Sequence, residues 1–184
     1  MAINKEKAVF KDFMKNISME VNFDLRLPSM VFKNKVEKFW FFERPLMSCY
    51  ELVEEILTLS GTDSYIKFSG LDPIMESFIL INKNNVQYDI IKAHEISTNF
   101  GKGNLSYPLV LCDSYMRWIA VEDVTEDFGV LALKDNLLFD HGNNFLEENF
   151  ISPSQMVGLS ESGCHGSKAA KAFIDNYIIN NLKD

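Results

Sequence analysis

The residues most suited to chemistry lie between Gly158 and Lys168, where Gly163, Cys164, His165 and Gly166 precede an amphipathic stretch. A thiol beside an imidazole invites a cysteine nucleophile. Adjacent side chains rarely aim at each other, so such a thiol needs a base from elsewhere in the fold, and His94 and His141 are the candidates. Glycines ahead of a helix also invite a phosphate loop, because a helix N-terminus offers free amides. That pattern requires Lys and then Ser or Thr directly after its second glycine, and Cys164 and His165 stand there instead. Asp113, just past a strand-like run over Tyr107–Cys112, is a candidate acid–base carboxylate without an evident partner. The three histidines show no paired metal-ligand spacing. Asp140, Asn143, Asn144, Glu147 and Glu148 offer oxygen ligands but depart from the EF-hand order. No metal site and no cofactor is expected.

Carboxylates supply the stronger signal. Between Glu122 and Glu148 eight acidic residues face one base, Lys134, in a chain whose whole net charge is −8. Glu122, Asp123, Glu126 and Asp127 fall on one expected hairpin tip, and Asp135 and Asp140 follow closely. The plain reading is a solvated sheet edge where charge blocks unwanted strand pairing. Like charges held together work against the compact state, however, and a basic partner would turn that cost into association rate and specificity. Glu122, Asp123, Glu126, Asp127, Asp135 and Asp140 are therefore the expected partner-binding residues, with Trp118 expected in the core.

Composition narrows the classes. A chain of 184 residues with 47% hydrophobic and 12% aromatic residues has the material for a single globular domain spanning 1–184. Three scattered cysteines (Cys49, Cys112, Cys164) read as free thiols of a reducing compartment, mostly buried. With no secretory apolar core at the N-terminus and no bilayer-length apolar run, a cytoplasmic protein without a membrane partner is expected. An acidic pI near 4.9 argues against nucleic acid, whose phosphates need a basic face.

The elements that must position these groups follow from periodicity. Lys5–Met19 carries Val9, Phe10, Phe13, Met14 and Ile17 at helical spacing. Val21–Leu27 and Glu37–Phe42 read as strands, with the run Phe39–Phe42 central in a sheet because it is apolar on both faces. Ser48 and Glu51 form an expected capping box for a helix ending at Gly61. Tyr65–Phe68 is a short strand, and Ser77–Asn82 and Val86–Ala93 an expected hairpin about Lys83, Asn84 and Asn85. Phe100–Ser106 reads as loop. Tyr107–Cys112, Arg117–Val121 and Phe128–Leu133 form an expected meander. Leu137–Phe150 is ambiguous, Ile151–Gly166 reads mostly as loop, and a helix from Ser167, its expected N-cap, to Leu182 closes the chain. Strands in succession with helices at the ends and middle predict an α+β fold: a largely antiparallel sheet with an N-terminal helix, a capped middle helix and a C-terminal helix packed on it.

The run Leu109–Val121, the acidic turn after it and Phe128–Leu133 resemble the sheet core of small bacterial immunity proteins, which neutralise toxin domains used in inter-bacterial competition. The resemblance covers about 25 residues and carries over no individual site residue. It implies a cytoplasmic, non-enzymatic inhibitor that covers a toxin's working surface, often that of a basic nuclease. A small cytoplasmic enzyme using Cys164, His165 or Asp113 is the alternative, and an adaptor subunit of a larger assembly a third reading. The sequence leaves the oligomeric state open.

Overall fold

The runs Leu109–Asp113, Trp118–Glu122 and Gly129–Leu133 carry apolar residues on both faces, broken only by Asp113, Glu122 and Gly129, and all fifteen positions are buried. Strands of this kind need cover on both sides. The computed structural model, which describes residues 7–43, 45–68, 78–100, 108–123, 125–135 and 144–179, supplies that cover. The elements in chain order are α1 (Lys7–Glu20), β1 (Lys38–Phe42), a 3₁₀ turn (Leu46–Ser48), α2 (Tyr50–Ser60), β2 (Ser64–Phe68), β3 (Phe78–Ile81), α3 (Val86–Phe100), β4 (Leu109–Asp113), β5 (Trp118–Glu122), β6 (Gly129–Leu133), α4 (Phe145–Asn149), α5 (Pro153–Glu161) and α6 (Ser167–Ile174), continued by a π-helical turn (Asp175–Ile179).

The fold is α+β. Six strands form one sheet in the order β1-β6-β5-β4-β2-β3, and every neighbouring pair is antiparallel. One face packs Phe39, Phe41, Val110, Ile119, Val121 and Val130 against α1, α5 and α6 through Ile17, Met156, Phe173 and Tyr177. The other packs Trp40, Phe42, Leu111, Trp118 and Leu131 against α2 and α3 through Val53, Ile56, Leu57, Ile90 and Ala93. Period-2 alternation sorts each strand between two separate cores. Tyr177 ties the first core to the 27–32 loop: its hydroxyl donates to the Ser29 carbonyl at 2.5 Å and accepts from the Val31 amide. Among the described residues no helix is long and apolar enough to cross a membrane.

The β4–β5–β6 meander, α1, β2 and the Gly61 stop of α2 stand as expected; Gly61 takes the left-handed conformation (φ 68°) that terminates a helix. Other expectations are corrected. Val21–Leu27 makes one bridge, Val21 to Phe32, and then turns, because the Asn22 side chain accepts the Asp24 amide and competes with a ladder. Val86–Ala93 belongs to α3, not to a hairpin: Val86, Ile90 and Ala93 are buried at helical spacing, and the Asp89 carboxylate accepts the Asn82 amide, fixing the turn into the helix. The Ser48 capping box is absent, since α2 starts at Tyr50 with Cys49 at the N-cap and no side-chain cap. A capping box stands instead at Ser152 and Gln155, ahead of Pro153, and converts much of the expected Ile151–Gly166 loop into α5. Gly166, not Ser167, is the N-cap of α6. Finally, β1 is an edge strand. Its outer rung is closed by Phe41, which exchanges backbone hydrogen bonds with Ile151 at 2.9 and 2.8 Å, and helices cover both its faces. The loop expected over Phe100–Ser106 falls almost wholly on 101–107, outside the described residues, as does the first half of Leu137–Phe150.

Candidate functional site: the β5–β6 turn

In β5 the residues Trp118, Ala120 and Glu122 share one face, while Ile119 and Val121 share the other. The strand therefore carries Glu122 onto the covered α2/α3 face, where it is only 4% exposed. Its Oε2 accepts the Leu46 amide at 2.7 Å, anchoring the strand end to the 3₁₀ turn. Burial pushes the carboxyl up to about 7, against the opposing pull of the Leu46 hydrogen bond. Burial therefore favours the neutral acid and reduces the charge that Glu122 adds to the turn.

Asp123 is likewise 4% exposed. Its Oδ1 accepts both the amide and the hydroxyl of Thr125, at 3.1 and 2.9 Å, and its carbonyl accepts the Glu126 amide at 3.1 Å. An Asp side chain bonded two residues ahead mimics a backbone turn. Its Oδ2 lies 3.6 Å from Nη1 of Arg26, whose side chain is 63% exposed, so this pair is screened on one side.

The expected exposed tip of four carboxylates is therefore corrected. Glu122 and Asp123 are buried and hold the turn; Asp127 is exposed and Glu126 half-buried. Burial, with Asp123 and Asp127 nearby, raises Glu126 above its ordinary value. Asp135 is half-buried at the opposite end of β6, about 17 Å from the turn for a five-residue strand. Asp140 lies outside the described residues. Glu147 and Glu148 are exposed on α4.

The other sequence candidates do not assemble. Asp113 is fully buried, with both oxygens taken by Arg117. Cys164 is exposed and accepts a hydrogen bond from the Ser162 hydroxyl at 2.9 Å; His165 is also exposed, and among the described residues no hydrogen bond joins the two. The side chain of His94 and all of His141 lie outside the described residues. Gly158 sits within α5, so the glycine-rich stretch is a helix–turn–helix corner and not a strand-to-helix phosphate loop. Of the cysteines only Cys112 is buried, whereas Cys49 is half-buried. Among the described residues no group of three or more His, Cys, Asp or Glu is placed to hold a metal ion.

The burial of Glu122 had a sequence signal: it continues the alternation from Trp118 and Ala120. Leu46 and Arg26 had none, since both reach the turn from distant segments. Comparison with family models, curated proteins and solved structures finds no match for this chain.

Proposed function

We propose that the chain is a non-enzymatic protein-binding module that engages a basic partner through the β5–β6 turn, in the manner of an immunity protein neutralising a nuclease-like toxin domain. One observation carries the reading: Glu126 and Asp127 project from a turn held by the buried Asp123, so their charge is presented in a fixed geometry. Preorganised charge costs little entropy on docking and steers encounter. Glu126 and Asp127 are then the contact residues, Glu122 and Asp123 their support, and Asp135 a second acidic point at the far end of β6. A standard interface of roughly 800 Å² per partner is wide enough to span the length of β6.

The test is capture from the source cell on the immobilised chain at low salt, with the Glu126→Lys/Asp127→Lys double variant as control. The proposal expects one basic protein, released by salt, encoded beside this chain's gene and lost from the double variant. Equal retention by both proteins counts against it.

A further inference from the structure

Glu122 lies within a row that crosses the sheet. Phe42 pairs with Gly129, Glu122 pairs with Leu109, and the β5–β6 register continues from Val121 and Val130 to set Glu122 beside Gly129. A Cβ on Gly129 would lie 2.2 Å from the Phe42 ring, so that ring occupies the space over the glycine. The Glu122 carboxyl thus has hydrocarbon from β1 and β4 along its row and the Leu46 amide as its partner. Its second oxygen, Oε1, is buried and has no partner among the described residues.

No described charge offsets an ionised Glu122. β4 presents Leu109, β6 presents Gly129, β1 presents Phe42, and the 3₁₀ turn presents a backbone amide. Asp123 points to the opposite face and meets Arg26. Glu43 is exposed, and Glu126 stands on the turn. Arg44 lies outside the described residues. A buried carboxylate with one unpaired oxygen is costly, and the neutral acid in the same place costs less because no charge is desolvated. The raised titration of Glu122 agrees with that geometry.

We propose that Glu122 is a proton-operated latch between the β5–β6 hairpin and the Leu46–Ser48 turn. Carrying its proton it stays seated on the Leu46 amide; on losing it, the carboxylate moves toward water and frees both segments. The latch belongs to the isolated chain. Its consequence, that a seated Glu122 keeps the Glu126–Asp127 turn firm for docking, rests on the proposed function.

The test follows the Glu122 side-chain carboxyl by carbon-detected NMR from pH 3 to 9, with hydrogen exchange of the Leu46 amide above pH 5, in the free protein. The latch predicts a carboxyl midpoint near neutrality. It also predicts that Leu46 protection, corrected for intrinsic exchange, falls by up to about tenfold per pH unit between the ordinary carboxyl value and that midpoint, and levels off above it. In Glu122→Gln that fall disappears. A midpoint at the ordinary value of about 4.3, or the same pH dependence of Leu46 protection in both proteins, overturns the latch. Should Glu122→Gln fail to fold, the wild-type midpoint and Leu46 protection decide alone. No partner is present, so failure of the docking reading leaves this result untouched.

Discussion

Asp113 and Arg117 close the β4–β5 turn on each other: Oδ1 of the fully buried Asp113 accepts the Arg117 amide, and Oδ2 accepts Nε, each at 2.7 Å. Arg117 then reaches the end of α2, donating from Nη2 to the Ser60 carbonyl at 2.8 Å. One ion pair thus fastens a sheet turn to a helix C-terminus and satisfies a carbonyl that the helix leaves open.

Removing either partner should therefore destabilise the chain, unequally. Arg117→Met strands a buried carboxylate and should cost about 3–5 kcal/mol. Asp113→Ala leaves an arginine whose side chain is 30% exposed and can turn to water, so the loss should fall near the lower end, about 3 kcal/mol. Urea unfolding of both variants checks the order. Equal, sub-kilocalorie losses would contradict the rivet.

Glu122 predicts a pH dependence of stability. Its folded value is raised, so the protonated form is favoured in the fold. The stability it lends is fully present below the unfolded value of about 4.5 and is lost as pH rises through about 7. The difference between wild type and Glu122→Gln should swing in favour of the variant between pH 4 and pH 8, by about 3 kcal/mol at most. Paired thermal melts across that range measure it.

Gly129 has a steric reason for its identity. Because its Cβ would lie 2.2 Å from the buried Phe42 ring, Gly129→Ala should cost about 1–3 kcal/mol through overpacking. Phe42→Leu in the same chain should recover part of that loss. A double-mutant cycle showing no coupling between the two positions would refute the contact.

Ser152 and Ser48 should respond differently to truncation. Ser152→Ala removes an observed cap and should cost about 1 kcal/mol. Ser48→Ala, at an exposed position with no cap bond, should change stability by less than about 0.5 kcal/mol. Denaturation midpoints of the two variants decide it.

Sequence periodicity was informative where local pattern and packing agreed. Leu109–Leu133 reads as three strands because alternate apolar residues on both faces allow little else. It failed where a side chain redirected the backbone. Val86, Ile90 and Ile91 have strand-like character, yet Asp89 on the Asn82 amide starts a helix. Ser48 and Glu51 match a capping box that the neighbouring 3₁₀ turn displaces, while Ser152 and Gln155 make the real one. At the site, acidic residues could be counted but not sorted. The separation of Glu122 and Asp123 from Glu126 and Asp127 depends on Leu46 and Arg26, which reach the turn from 76 positions away for Leu46 and from the 22–29 loop for Arg26.

Glu126 and Asp127 are proposed as the steering surface. The most direct measurement is the association rate of the captured basic partner with wild type and with Glu126→Lys/Asp127→Lys, at low and at physiological salt. Association should be about tenfold slower or more for the variant at low salt, with an unchanged fold and a gap that narrows as salt screens the charges. Equal association rates at low salt would contradict it.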